Sequence, residues 1–281
     1  MHPHTVPPIY RPRRPWTTAL YQVVDRHFET FAAVYDDRFA PTYGPWRPVV
    51  RTTADAYLDC GRYEGGFCRL RCDTCGTERL LAFSCRRRGL CPSCAARTAA
   101  LAAQHLVEAV LLPVPHRQVV LTIPKRLRIY FRFDRRLLAD LARAAARAIT
   151  DVVRIVTDRP EGAPGIILAL QSFNQDLTHN PHIHALATEG LVCSDDTFLP
   201  VPTIDALLIE HAFRRRVFNL LLRHHKITPD LVEAMHSWKH SGFSAHTAVR
   251  VLPEELKTAE RVLRYLLRPH SPTPAPAMLP R

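Results

Sequence analysis

The residues able to do chemistry gather in three places. Seven of the eight cysteines fall between Cys60 and Cys94, and four of them form two CxxC pairs, Cys72-Asp-Thr-Cys75 and, fifteen residues on, Cys91-Pro-Ser-Cys94. Thiolates at this spacing can surround one zinc ion tetrahedrally, as in a zinc ribbon. Gly76 after the first pair and Pro92 inside the second suit the tight turns of such knuckles. Cys60, Cys68 and Cys85 lie close by, so a second zinc, or a shifted ligand set drawing on Cys60 and Cys85, stays open. Four-sulfur sites are normally closed, so this Zn2+ is expected to hold structure and not to catalyse.

The second place is His182-Ile183-His184, inside an apolar run that reads as a strand. Alternation puts both imidazoles on one face and Ile183 on the opposite, buried one. Two nitrogens on one strand can hold a divalent cation and leave positions open for substrate oxygens. Such a pair also occurs in ordinary strands, so a third ligand is required; Gln171, Asp176 and His179 are the candidates. The third place is Tyr265. On a helical wheel from residue 253 to 268, Leu256, Ala259, Leu263, Leu266 and Leu267 share the core side, and Tyr265 falls almost opposite, among Lys257, Thr258, Arg261 and Arg268. A phenol among cations is where a phosphodiester could meet a nucleophile, although a surface tyrosine on a basic helix reads equally well.

The charge points to the same kind of partner. The net charge is +12, and residues 69–97 and 117–136 together hold 11 of those charges. Two basic blocks beside metal-type motifs indicate a polyanion, with Arg86, Arg87 and Arg88 between the knuckles and Lys125, Arg126 and Arg128 in the second block as phosphate contacts. The start of the chain lacks the apolar stretch of a signal peptide, and no apolar run approaches membrane-spanning length, so a cytoplasmic protein without a membrane partner is expected.

These groups need elements to position them. A helix is expected over 16–39, the cysteine-rich segment over 60–94, and an alanine-rich helix over 95–111. Strands follow at 118–123, 166–173 and 182–188, the last two as a hairpin joined through 174–181, with a short strand near 247–251. Helices are expected at 136–156, 203–225, 229–238 and from Pro253 onward. The order is that of an α+β protein: an N-terminal helix and zinc ribbon, then a mainly antiparallel sheet flanked by helices. The domains expected are a flexible arm (1–14), a helical and zinc-binding domain (15–111), an α+β domain built on the antiparallel sheet (112–268) and a disordered tail (269–281) with five prolines.

In order and in text, these pieces resemble the rolling-circle insertion-sequence transposases of the HUH endonuclease superfamily. The resemblance is carried by Cys60-Gly61, Gly66-Phe67 and Arg71-Cys-Asp-Thr-Cys-Gly76, then by Phe83-Ser-Cys85-Arg-Arg-Arg-Gly89-Leu-Cys91-Pro-Ser-Cys94-Ala-Ala-Arg97. Pro124-Lys-Arg-Leu-Arg128, Gln171-Ser-Phe173, Asn180-Pro-His-Ile-His184, His240-Ser-Gly-Phe243 and Arg264-Tyr-Leu-Leu-Arg-Pro269 follow in the family's order, over roughly residues 15–270. The resemblance implies an HUH-type sheet, a Mg2+ or Mn2+ ion on His182, His184 and a third ligand such as Gln171, and a zinc domain that helps recognise an element end. It also implies single-stranded DNA as substrate, attack by Tyr265 through a 5′-phosphotyrosine intermediate, and strand transfer in transposition. Two departures stand out. Many relatives carry a second tyrosine four positions earlier, where this chain has Arg261, and relatives continue well past the RYxxRP element, where this chain enters its proline-rich stretch. A shortened copy is therefore one expectation, and the alternative function is a catalytically inactive zinc-ribbon DNA-binding protein. A metallohydrolase that activates water at the histidine pair would be indifferent to Tyr265. The oligomeric state is not readable from the sequence.

Overall fold

The computed structural model describes residues 14–268 apart from residues 88, 175, 177 and 202. The expected arm (Arg14 aside), the tail from 269 and Arg88 lie outside the described residues. The chain divides between Thr98 and Ala99 into two compact units.

The first unit opens with a single 3-10 turn at Pro15–Thr17 and then α1 (Ala19–Ala33), capped by the Thr18 hydroxyl, which accepts from the Tyr21 N–H. The single helix expected over 16–39 is instead broken at Val34, and α2 (Tyr35–Arg38) and α3 (Ala40–Tyr43) follow as short turns. Aromatic packing accounts for the break: it folds the chain so that Phe31 meets Phe39 at 5.2 Å between ring centroids and Tyr35 meets Trp46 at 5.0 Å. α4 (Pro48–Leu58) begins with proline at its first position, where no intrahelical N–H is needed, and lies against α1. There Tyr57 is fully buried and the Tyr21 hydroxyl donates to the Leu58 carbonyl at 2.8 Å. An antiparallel hairpin follows, β1 (Phe67–Arg71) with β2 (Glu78–Ala82). Its turn needs Gly76, whose φ is +68° and whose N–H donates to the Cys72 carbonyl at 2.9 Å.

Helix α5 (Pro92–Ala109) crosses the boundary between the units. The second unit is built on a sheet of β3 (His116–Thr122), β4 (Ile166–Phe173), β5 (His179–Thr188), β8 (Ser244–His246) and β9 (Arg250–Val251). The order is β4-β5-β3-β8, with β9 also on β3, and every pairing is antiparallel. A separate hairpin joins β6 (Gly190–Val192) and β7 (Phe198–Pro200). The helices are α6 (Lys125–Phe133), α7 (Leu137–Thr157), α8 (Ala206–Arg223), α9 (Pro229–His236) and α10 (Leu256–Leu266). The whole is α+β with an antiparallel sheet, as expected.

Alternation along the central strands divides the sheet into two faces. Val119, Leu121, Ile183, Ala185 and Ala187 point into the main core with α7 and α8, whose Ile149, Val153, Phe213 and Leu221 are buried there. Leu186 and Val251 join a second core formed with Ala259, Val262, Leu263 and Leu266 of α10. The histidines share parity with Leu186, so they lie on the α10 face, and both faces of β5 are covered. Several boundaries differ from expectation. β5 starts three residues before His182, because a bulge opposite Gln171–Phe173 extends the pairing. The basic stretch after Lys125 is a helix, α6. α10 begins at Leu256, and Leu256 itself is exposed and not in the core. Among the described residues no helix is long and apolar enough to cross a membrane.

Candidate metal centres and tyrosine site

In the first unit the sulfurs of Cys60, Cys85, Cys91 and Cys94 lie within 4.8 Å of one another, with three of the four residues buried. Cys60 is 3.6 Å from Cys91 and 3.7 Å from Cys94, and Cys85 is 3.6 Å from Cys94. Zinc–sulfur bonds of about 2.3 Å place tetrahedral sulfurs a little under 4 Å apart, so the cluster has the spacing of a closed four-thiolate site. Chain geometry explains how it assembles. The base of the β1–β2 hairpin is closed by Gly61 N–H donating to the Phe83 carbonyl and Phe83 N–H donating to the Gly66 carbonyl, which brings Cys60 beside Cys85. The first turn of α5 supplies Cys94, and Cys91 immediately precedes that helix. Crowding splits the acidities: Cys60 is lowered to about 7, chiefly by its hydrogen bond with Cys85, Cys94 is lowered too, and Cys85 and Cys91 are raised. Four thiolates this close repel one another unless a cation sits among them, and this donor set fits Zn2+.

The expected union of the two CxxC pairs is not what the structure brings together. Cys72 and Cys75 are exposed at the far turn of the hairpin and do not join the cluster. Four residue steps at about 3.3 Å separate the hairpin's base from its tip, roughly 13 Å, far beyond the reach of a shared ion. Cys75 engages the Thr77 hydroxyl at 3.2 Å instead, and its acidity is raised to a pKa of about 7, chiefly by that contact. Cys68 faces the Leu81 carbonyl across the hairpin. Arg86 has a φ of +54°, and Arg87 is exposed.

The second unit gathers the other candidates. Gln171 on β4 is the directly opposed partner of His182 on β5, whose other partner is Thr122 on β3. All three of Gln171, His182 and His184 are buried. The His182 and His184 rings stand 5.0 Å apart between centroids, and the Tyr265 ring of α10 meets His184 edge-on at 5.3 Å. The wheel placed Tyr265 away from the core; it is 48% exposed, with its ring also in contact with the histidine. Gln171 ties these elements together, since its Nε2 donates to the Leu266 carbonyl at 3.2 Å and to the Arg268 carbonyl at 3.4 Å. Its buried Oε1 accepts no hydrogen bond from the described residues. Burial lowers the His182 pKa, with the Arg128 guanidinium adding to the effect and a contact to the Asn180 carbonyl opposing it. Arg128 donates to the Ile123 carbonyl from the start of α6, where Lys125 and Arg126 are also placed.

The other two third-ligand candidates are occupied elsewhere. Asp176 is exposed and accepts from the Thr178 N–H and hydroxyl, and the His179 ring packs on Phe173 at 5.6 Å. Sequence reasoning missed two features of this unit. One is the ion pairing of buried Glu189 with Arg117 and Arg250, and the other is the exposed aromatic side of α6. The signal for α6 was present as Leu127 and Phe131, four residues apart and both buried.

Comparison with known proteins finds two matched segments in the chain. Residues 26–123 match the family model described as "Transposase zinc-binding domain", and residues 165–272 match the one described as "Putative transposase". The chain is 30% identical over 150 residues to a protein of Sinorhizobium fredii (strain NBRC 101917 / NGR234) named "Putative transposase y4qJ". That match covers 48% of this chain and 36% of the relative, so the chain spans little more than a third of the relative's length. No solved structure matches. With a four-cysteine cluster inside one matched segment and the paired histidines and tyrosine inside the other, the chain belongs to the family of rolling-circle insertion-sequence transposases that carry a zinc-binding domain.

Proposed function

We propose that the protein nicks single-stranded DNA at the end of a mobile element and transfers the strand, in the manner of the HUH endonucleases, using Tyr265 as nucleophile. The observation that carries this reading is the packing of the Tyr265 ring against His184, on the sheet face where His182 and the unengaged Gln171 Oε1 also lie. Two imidazoles and an amide oxygen fit a divalent cation that still has positions for phosphate oxygens. Burial favours the neutral, ligating form of His182. Bound by His182, His184 and Gln171, Mg2+ or Mn2+ would supply Lewis-acid polarisation of the scissile phosphate.

The chain's own groups do the rest. Arg128 next to His182, with Lys125 and Arg126 on the same helix and Arg268 just past α10, would draw the backbone into place. Arg86, Arg87 and Arg88 would contact phosphates from the zinc-binding unit. The Tyr265 hydroxyl gives its proton to solvent at its open side and attacks phosphorus in line. As the Oη–P bond forms, the P–O3′ bond breaks, and the departing 3′ oxygen takes up a proton. The 5′-phosphate stays on Tyr265, so the energy of the broken bond is kept in an ester. A second 3′-hydroxyl can reverse the step and join the strands without a nucleotide cofactor.

The test uses single-stranded DNA from an element end, labelled at its 3′ end, with Mg2+ or Mn2+, and resolves products on a denaturing gel. A labelled protein band that needs the metal and vanishes in Tyr265→Phe and His182→Ala is the expected result. Cleavage without a covalent band, indifferent to Tyr265→Phe, would replace the proposal with a water-activating hydrolase. Binding without cleavage would leave a DNA-binding protein that occupies element ends.

A further inference from the structure

The outer side of α6 carries a cleft that the nicking chemistry leaves unused. Leu127 and Phe131 anchor the helix in the core and are fully buried. Its other side presents Arg126, Ile129, Tyr130 and Phe133 to a cleft of about 850 Å³, closed by Asp134, Arg135, Arg136 and Lys226. Phe133 is 74% exposed and Ile129 53%, an unusual outlay of apolar surface in a segment this basic. The charges are arranged with equal economy. Asp134 takes Arg136 at 3.1 Å and Lys226 at 3.3 Å, and these cations hold its carboxyl down to about 2. Among the described residues no hydrogen bond or ion pair engages the side chain of Arg126 or Arg135. The cleft therefore combines a flat aromatic ring with two guanidiniums not committed to a carboxylate. An apolar protein surface would satisfy the ring but not the uncompensated charge, and a duplex would satisfy the charge but hide its bases from the ring. A single strand offers both a π-face and phosphates.

We propose that this cleft is a nucleotide subsite, in which one unpaired base stacks on Phe133, flanked by Tyr130 and Ile129, while Arg126 and Arg135 hold the adjoining phosphates. The inference rests on the reading of the protein as a single-strand nickase and deepens it. The cleft is linked to the tyrosine site by α6 itself, which packs against β5, the strand of His182 and His184, and which carries Arg128 one residue before Ile129. A base held there would fix the register of the strand without touching the scissile phosphate.

The full chain is titrated with a fluorescent oligothymidine and, at the same salt, with an abasic strand of equal length and charge. Stacking predicts that Phe133→Ala weakens oligothymidine binding by about five- to one-hundred-fold and leaves the abasic strand unchanged. Phe133→Trp should restore the affinity. Because Phe133 is exposed, its removal takes little from the fold. Equal weakening on both strands, or on neither, overturns the proposal, as does a duplex that competes as well as the single strand. Binding is read without cleavage, so the two readings fail separately. A Phe133-dependent preference with no Tyr265 adduct would sink the nickase and keep the subsite. An adduct without that preference would do the reverse.

Discussion

Replacing Cys60 by serine and, separately, Cys72 by serine should have sharply unequal effects, although both cysteines stand in family-like sequence. Cys60 is 1% exposed and shares its small core with Tyr21, Tyr57, Cys91 and Cys94. Two tyrosines and a few aliphatic neighbours stabilise that core by only about 5 kcal/mol at roughly 2–3 kcal/mol per large side chain, well short of the entropy of ordering the loops around it. The ion must make up the difference. Structural zinc contributes about 10–16 kcal/mol, so an even share per thiolate is about 3 kcal/mol, or roughly a hundredfold in affinity. Cys60→Ser should therefore release zinc to a mild chelator and melt the first unit at the loss of about 3 kcal/mol. Cys72, exposed at the hairpin tip, should stay within about 0.5 kcal/mol of the parent and keep its zinc. Zinc per chain, measured by mass spectrometry beside urea unfolding, decides the matter. If Cys72→Ser loses zinc as Cys60→Ser does, the two knuckles hold one ion together and the assignment drawn from the cluster is wrong.

Other outcomes follow from the second unit. Glu189 is 4% exposed and accepts from both Arg117 and Arg250. Glu189→Gln leaves those guanidiniums without a counter-charge; since Arg250 is half open to water, the cost should be about 2–3 kcal/mol in urea unfolding, and under about 0.5 kcal/mol would show the pairs to be idle. His116 is buried, and desolvation holds its pKa below the usual value near 6.5 despite opposing help from Val114 and Glu189. The unfolded chain then binds the extra proton first, so this contribution to stability is complete above pH 6.5. It is lost as the pH falls from 6.5 toward the lowered value, by at most about 1.4 kcal/mol per unit. His116→Gln should flatten part of that slope in denaturation curves at pH 7.5 and 5.5, and an unchanged slope would assign it to other groups.

What the sequence disclosed depended on whether the pattern was local. β4 has the bounds expected of it, and Ile183 is buried opposite the histidines, because strand alternation is a two-residue rule that needs no partner. Gln171, Asp176 and His179 were equal candidates for a third ligand in the sequence, and only the register of the strands sets Gln171 directly opposite His182. The ligand set of the cysteine cluster was not legible in the same way. CxxC spacing says that two sulfurs can meet, but which pairs meet depends on where a hairpin folds, and here the hairpin carries Cys72 and Cys75 away while drawing Cys60 to Cys85. α6 was hidden by its composition, since seven of its nine residues are basic or aromatic side chains that also suit a loop on a polyanion surface. The wheel set Tyr265 opposite the core side of its helix, yet the half-exposed ring also meets His184, because a wheel has no knowledge of the neighbouring strand.

The amide of Gln171 carries a consequence for how the tyrosine helix and its neighbours communicate. Its nitrogen end is claimed by two carbonyls at the end of α10, which can accept but never donate, so the oxygen end cannot exchange places with it. A glutamate here would bind a cation more strongly, yet it would present those carbonyls with an acceptor and push the helix off. Any ligand that draws on Oε1 also polarises the amide and strengthens its grip on the helix end. By reciprocity, a helix that is well seated raises the affinity for that ligand by the same factor. One neutral side chain would thus couple any ligand held at the sheet to the seating of the Tyr265 helix.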